Sequence, residues 1–110
     1  MKKAIPQGEN IIGFSVSKIA TDVLRSTNPA MMEEIEGDFH KATSEEIDAA
    51  LEKANEAFRT FKNSNGVVRA SFLRKIADNI LALGDALIER AMAESGLPKG
   101  RLEGERGRTL

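Results

Sequence analysis

The chain has 110 residues, 12.0 kDa, with 41% hydrophobic and 30% charged residues, the balance of one small globular domain. Sixteen Lys and Arg against seventeen Asp and Glu give a net charge of -1, so no global field draws the chain to nucleic acid or to an anionic membrane. The absence of cysteine excludes disulfides, thiolate metal sites and thiol nucleophiles, and one histidine with no tyrosine or tryptophan leaves carboxylates, lysines and hydroxyls for any chemistry.

The opening MKKAIPQGEN has two lysines but no apolar block behind them, which argues against a secretory signal. The apolar runs are as short as Ile80-Leu81-Ala82-Leu83, far below the roughly 20 residues of a membrane span. A cytoplasmic location is therefore expected. In NIIGFSVSKIATDVLRST, residues 10–27, Ile12, Phe14 and Val16 alternate with Gly13 and Ser15 at the period of a strand. A second strand around Asp22–Ser26 is expected to pair with it as a hairpin, which needs a further surface to rest on. Asn28-Pro29 marks a turn. Met31 and Met32 read as a packing edge. His40, in DFHKAT, reads as a solvated loop histidine rather than a general base.

The segment ATSEEIDAALEKANEAFRTF contains a helix over 44–61, because Thr43 and Glu46 have the spacing of a capping box. Ile47, Ala50, Leu51, Ala54, Phe58 and Phe61 form its apolar stripe. Glu45 and Glu46 need no metal or acid role, since acidic residues in a first turn are accounted for by the helix dipole. KNSNG closes the helix at Gly66. Further helical spacing through Phe72, Leu73, Ile76, Ile80, Leu83, Leu87, Ala91 and Met92 divides into helices over 70–83 and 85–95, with Gly84 as terminator and Asp85 as cap. Gly96, followed by Pro98, ends the second. The expected fold class is mainly α: three to four amphipathic helices with a short amino-terminal β-hairpin.

The tail, 99–110, is a glycine- and arginine-rich helix start. Gly100, Gly104 and Gly107 fall on one helical face and permit close backbone approach. Lys99, Arg101, Arg106 and Arg108 outnumber Glu103 and Glu105, so the face is either a cradle for an anion or a surface packed against an absent neighbour. Three glycines weaken an isolated helix by about 1 kcal/mol each, so the tail is expected to fray. Its G-x-x-x-G-x-x-G spacing, placed after a helix, is not a dinucleotide fingerprint.

Taken in order, NPA at 28–30, ATSEEIDAALEKANEAF at 42–58, RASFLRKIADNI at 69–80, ALIERAMAESGLP at 86–98 and GERGRT at 104–109 resemble the amino-terminal part of an aldehyde dehydrogenase. Within that superfamily the ESGLP to GERGRT stretch is most similar to bacterial enzymes that oxidise α-ketoglutaric semialdehyde (2,5-dioxovalerate) to α-ketoglutarate. The resemblance implies a part of the α/β cofactor-binding domain of an oxidoreductase. In that family an active-site cysteine forms a thiohemiacetal, NAD or NADP takes the hydride, and a glutamate serves as base in hydrolysis of the thioester. The cysteine, glutamate, oxyanion-stabilising asparagine and dinucleotide-binding turn come later in a longer chain. The expectation is therefore a single partial domain, 1–110, made as a fragment or from a truncated gene, inactive alone and holding no cofactor, metal or catalytic residue. Its partner would be the remainder of the dehydrogenase chain, or a second copy through exposed apolar faces. Arg108 is the one expected substrate-binding residue, a cation for the distal carboxylate of the semialdehyde in the whole enzyme and a solvated charge in the isolated chain. The competing expectation is a non-enzymatic helical module for protein interaction; a helical DNA reader lacks a basic recognition helix.

Overall fold

A computed structural model describes residues 6–110. The expectation that the amino end carries no secretory signal falls partly on residues 1–5, outside that range. In chain order the elements are β1 (Asn10–Ile12), β2 (Ser15–Ser17), β3 (Val23–Leu24), β4 (Thr27–Asn28), β5 (Glu33–Glu34), β6 (Phe39–His40), α1 (Ser44–Phe61), α2 (Gly66–Ala82), α3 (Gly84–Ser95) and α4 (Lys99–Thr109). Mainly α with short strands near the amino end is therefore the architecture. The elements fall into two compact units, residues 6–25 with 36–64, and residues 26–35 with 65–110.

In the first unit, β1 pairs antiparallel with β2, Ile11 opposite Val16, around a two-residue turn in which Gly13 takes the positive φ (+64°) that such turns require. The strand expected at Asp22–Ser26 does not pair with β1. Gly13-Phe14 closes the hairpin locally, and β3 joins β6 instead, Val23 opposite His40 and Leu24 opposite Phe39. His40 is accordingly a strand residue, not a loop residue; its backbone N–H donates to the Gly8 carbonyl at 2.8 Å. Arg25 and Asp38 flank that pairing as an exposed ion pair at 2.6 Å. The capping box of α1 is complete. The Glu46 N–H donates to Thr43 Oγ1 at 3.2 Å, and Glu46 Oε1 accepts from the Thr43 N–H at 3.1 Å. The other carboxylate oxygen of Glu46 accepts from Asn10 Nδ2 at 3.3 Å, which ties α1 to β1.

In the second unit, β4 and β5 pair across Pro29–Met32. The Asn28 side-chain oxygen accepts from the Ala30 and Met31 N–H groups at 2.9 and 3.2 Å, and Met32 takes a positive φ of 56° at the end of the turn. Both methionines are exposed rather than packed. Helix α2 starts four residues before the expected 70. Asn65, not Gly66, decides the boundary: its side-chain oxygen accepts from the Val68 N–H at 2.9 Å, an N-cap that carries the helix back over Gly66. Helix α3 opens at Gly84 with φ +57°; Leu83 occupies the cap position without a side-chain bond, and Asp85 pairs with Lys99 at 3.6 Å instead of capping. Gly96, φ +72°, closes α3.

The tail is a formed helix over Lys99–Thr109, with Leu110 outside it. Its ion pairs, Lys99 with Glu103 and Arg101 with Glu105, contribute a few tenths of a kcal/mol each, too little to offset three glycines. The contact of α4 with α3 makes up the difference. Ile88 of α3, 2% exposed, is the one fully buried apolar residue among those described. None of the described helices is long and apolar enough to cross a membrane.

Candidate functional site

Helix α4 concentrates the charge singled out in the tail. Pro98 starts it, accepting the Arg101 and Leu102 N–H groups at its carbonyl, with no side-chain cap. Leu102, Glu105 and Arg106 are the half-buried positions of the helix; Arg101 and Arg108 point outward. Arg106 Nη1 donates to the Gly84 carbonyl at 3.2 Å, a part-buried bond 22 residues apart in sequence. Arg108 has an 82% exposed side chain whose Nη2 lies 3.3 Å from Glu105 Oε2, while Arg101 Nε approaches the other oxygen of Glu105 at 3.2 Å. One carboxylate thus serves two guanidinium groups, and the local excess of cations is left facing solvent.

Gly100, Gly104 and Gly107 share this helix, and a methyl group placed on any of them would meet nothing within 4 Å. Beside the end of α4, Leu73, Ile76 and Ile80 of α2 line a cavity of about 330 Å³ with Thr109 and Leu110, with Arg74 contributing the charge. It lies at the small end of the range for ligand pockets and contains no acid or base. No group of three or more His, Asp or Glu among the described residues is placed to hold a metal ion. Among the described residues every strand pair is antiparallel, and no glycine-rich turn leads from a strand into a helix.

Two carboxylates are held below the ordinary carboxylate range. For Glu46 the first cause is the Ser17 hydroxyl, followed by the Thr43 backbone N–H, with further bonds from Asn10 and the Thr43 side chain outweighing burial. For Glu94 the Arg90 guanidinium, 2.7 Å away, comes first and the Ser26 hydroxyl, at 2.8 Å, second. Both are structural anchors, Glu46 between α1 and β1 and Glu94 between α3 and the residue preceding β4. Acidic residues at a helix start conceal such a role, because dipole compensation already accounts for them. His40 keeps Nδ1 buried with no hydrogen-bond partner among the described residues.

The sequence that forms these elements matches a defined class. The family model described as "Aldehyde dehydrogenase family" matches residues 16–110, and the chain belongs to that family. Among characterised proteins it is 45% identical over 104 residues to alpha-ketoglutaric semialdehyde dehydrogenase 2 of Azospirillum brasilense, covering 94% of this chain and 20% of the relative. It is 44% identical over 70 residues to the alpha-ketoglutaric semialdehyde dehydrogenase of Acinetobacter baylyi, 64% of this chain and 13% of that protein. A 1-pyrroline-5-carboxylate dehydrogenase of Staphylococcus saprophyticus is 33% identical over 81 residues, 74% of this chain and 16% of that protein. The chain therefore spans about a fifth of the length of these relatives or less. No solved structure gives a significant match.

Proposed function

We propose that these 110 residues are the amino-terminal segment of an NAD(P)-dependent aldehyde dehydrogenase that oxidises α-ketoglutaric semialdehyde to its acid in the cytoplasm. The observation that carries the substrate assignment is the 45% identity to the Azospirillum brasilense enzyme across nearly the whole chain. Both units belong to one partial domain, completed by the remainder of the dehydrogenase. With no cysteine in the sequence, the nucleophilic thiolate and the dinucleotide site are supplied by that remainder, and the segment is inactive alone.

Arg108 is the residue of this segment assigned to substrate. The semialdehyde carries a carboxylate at its far end, and an outward guanidinium accompanied among the described residues by a shared Glu105 is suited to bind it as a charge-assisted pair. Such a bond is worth about 1.5–3 kcal/mol, so its loss corresponds to roughly tenfold or more in affinity. In the full-length enzyme carrying this segment, Arg108→Gln is expected to raise KM at least about tenfold for α-ketoglutaric semialdehyde and to leave KM for pentanal unchanged. Equal effects on the two aldehydes would overturn the assignment.

A further inference from the structure

The roll of α4 about its own axis is set by few groups. Gly100, Gly104 and Gly107 contribute no side chains, Leu102 and Glu105 are half-buried, and among the described residues the polar links to the start of α3 are Arg106 with the Gly84 carbonyl and Lys99 with Asp85. Of these, the Lys99 pair is exposed and 3.6 Å long, so water and salt screen it. The Arg106 bond is charge-assisted and part-buried, and it ends on a backbone carbonyl that cannot swing away. Residues two apart on a helix differ by about 200°, so a guanidinium fixed on the α3 side at Arg106 sends Arg108 to nearly the opposite side. The contrast in exposure agrees, Arg106 being half-buried and the Arg108 side chain 82% exposed.

We infer that Arg106 is a positioning residue: by bonding the Gly84 carbonyl it fixes the roll of α4 and so aims Arg108 at the carboxylate of the acidic aldehyde. The inference rests on the assignment of Arg108 to substrate. The left-handed backbone of Gly84, φ +57°, places the acceptor at the junction of α2 and α3, so one bond ties α4 to the point where two helices meet. A guanidinium suits this post better than an ammonium, because its planar fork is preorganised and loses less freedom on bonding.

Two measurements separate the positioning role from the substrate role. In the full-length enzyme, Arg106→Gln is expected to raise KM for α-ketoglutaric semialdehyde several-fold, with kcat and the KM for pentanal within about twofold of the parent. The double variant Arg106→Gln/Arg108→Gln should be no worse than Arg108→Gln alone, since both act through one contact. Fully additive effects would overturn the inference. In the 110-residue chain, hydrogen exchange across residues 99–109 should accelerate in Arg106→Gln, recover in part in Arg106→Lys, and remain at the parent rate in Arg108→Gln. Unchanged exchange in Arg106→Gln would also overturn it. If Arg108→Gln leaves both aldehydes unaffected while Arg106→Gln loosens α4, the substrate assignment fails and the Arg106 link to α3 stands as an architectural bond only, which refutes the aiming role.

Discussion

Arg108 Nη2 lies 3.3 Å from Glu105 Oε2, one turn back on the same helix, and Glu105 is already engaged by Arg101 at 3.2 Å. A carboxylate that is covalently part of the helix therefore competes with any anion approaching Arg108. Exposed pairs of this kind contribute about 0–1 kcal/mol. On the proposed assignment of Arg108 to the substrate carboxylate, Glu105→Gln should accordingly lower KM for α-ketoglutaric semialdehyde in the full-length enzyme, by up to about fivefold at low salt. The gain should shrink as ionic strength rises and the screening length falls toward the pair distance. An unchanged or higher KM at low salt would mean that Glu105 does not compete for Arg108.

The carboxyl of Glu46 is held below its ordinary range by Ser17, the Thr43 backbone and Asn10, so the folded chain binds its proton less readily than the unfolded chain. Folding stability from this group is fully present above the unfolded value, about 4.3, and is lost as pH falls through the lower folded value. Glu94, lowered by Arg90 and Ser26, has the same sign. The urea midpoint followed by helical circular dichroism should be level between pH 7 and 5 and fall between pH 4.5 and 3. Glu46→Gln should flatten that fall in part, and adding Glu94→Gln should flatten it further. A full acid slope in the double variant would show that other groups set it. Thr43→Ala, which removes the acceptor for the Glu46 N–H, should cost about 1 kcal/mol at pH 7.

What the sequence made legible was local, and what it concealed was not. Thr43 and Glu46 stand three apart, so their mutual bonds follow from spacing alone. Asn65-Gly66 has an equally local signal, but glycine there suggested a stop, whereas the asparagine oxygen on the Val68 N–H makes it a start. The pairing of β3 with β6 spans the second hairpin, and two-residue strands carry too little alternation to announce a partner. The bond from Arg106 to Gly84 depends on how α4 crosses α3, which no periodicity within either helix encodes. Of the site, the charge and glycine content of α4 could be read in advance; the division between an inward Arg106 and an outward Arg108 required the fold.

Two glycines with positive φ separate backbone strain from steric exclusion. Gly84, φ +57°, has open space where a methyl group would stand, so Gly84→Ala meets only the left-handed penalty, about 1–2 kcal/mol. At Gly8, φ +63°, the added carbon would fall 1.9 Å from the Asp38 carbonyl oxygen, and the chain must move. That movement also strains the bond from the His40 N–H to the Gly8 carbonyl. Gly8→Ala should therefore destabilise by at least about 1 kcal/mol more than Gly84→Ala, the net worth of the hydrogen bond it disturbs. Chemical denaturation of the two variants side by side checks the order, and equal losses would show that the segment around Gly8 relaxes freely.

Helix α1 leaves Ile47, Leu51 and Phe58 at 50%, 65% and 60% exposure, all on the stripe that its sequence sets aside for burial. In the second unit, Phe72 and Leu73 of α2 are likewise open. Contiguous apolar faces of this kind are uncommon on monomeric soluble proteins and associate or bind other chains. The isolated 110-residue chain should bind a dye for exposed apolar surface and sediment above 12.0 kDa as concentration rises. Leu51→Glu should lower both the dye signal and the average mass, because a charge on the stripe opposes its burial against a second copy. If the remainder of the proposed dehydrogenase covers this stripe, the same substitution in the full-length chain should act in the opposite sense and reduce the yield of folded enzyme. A 12.0 kDa species at high concentration with no dye binding would show that the exposed stripe is tolerated in water without a partner.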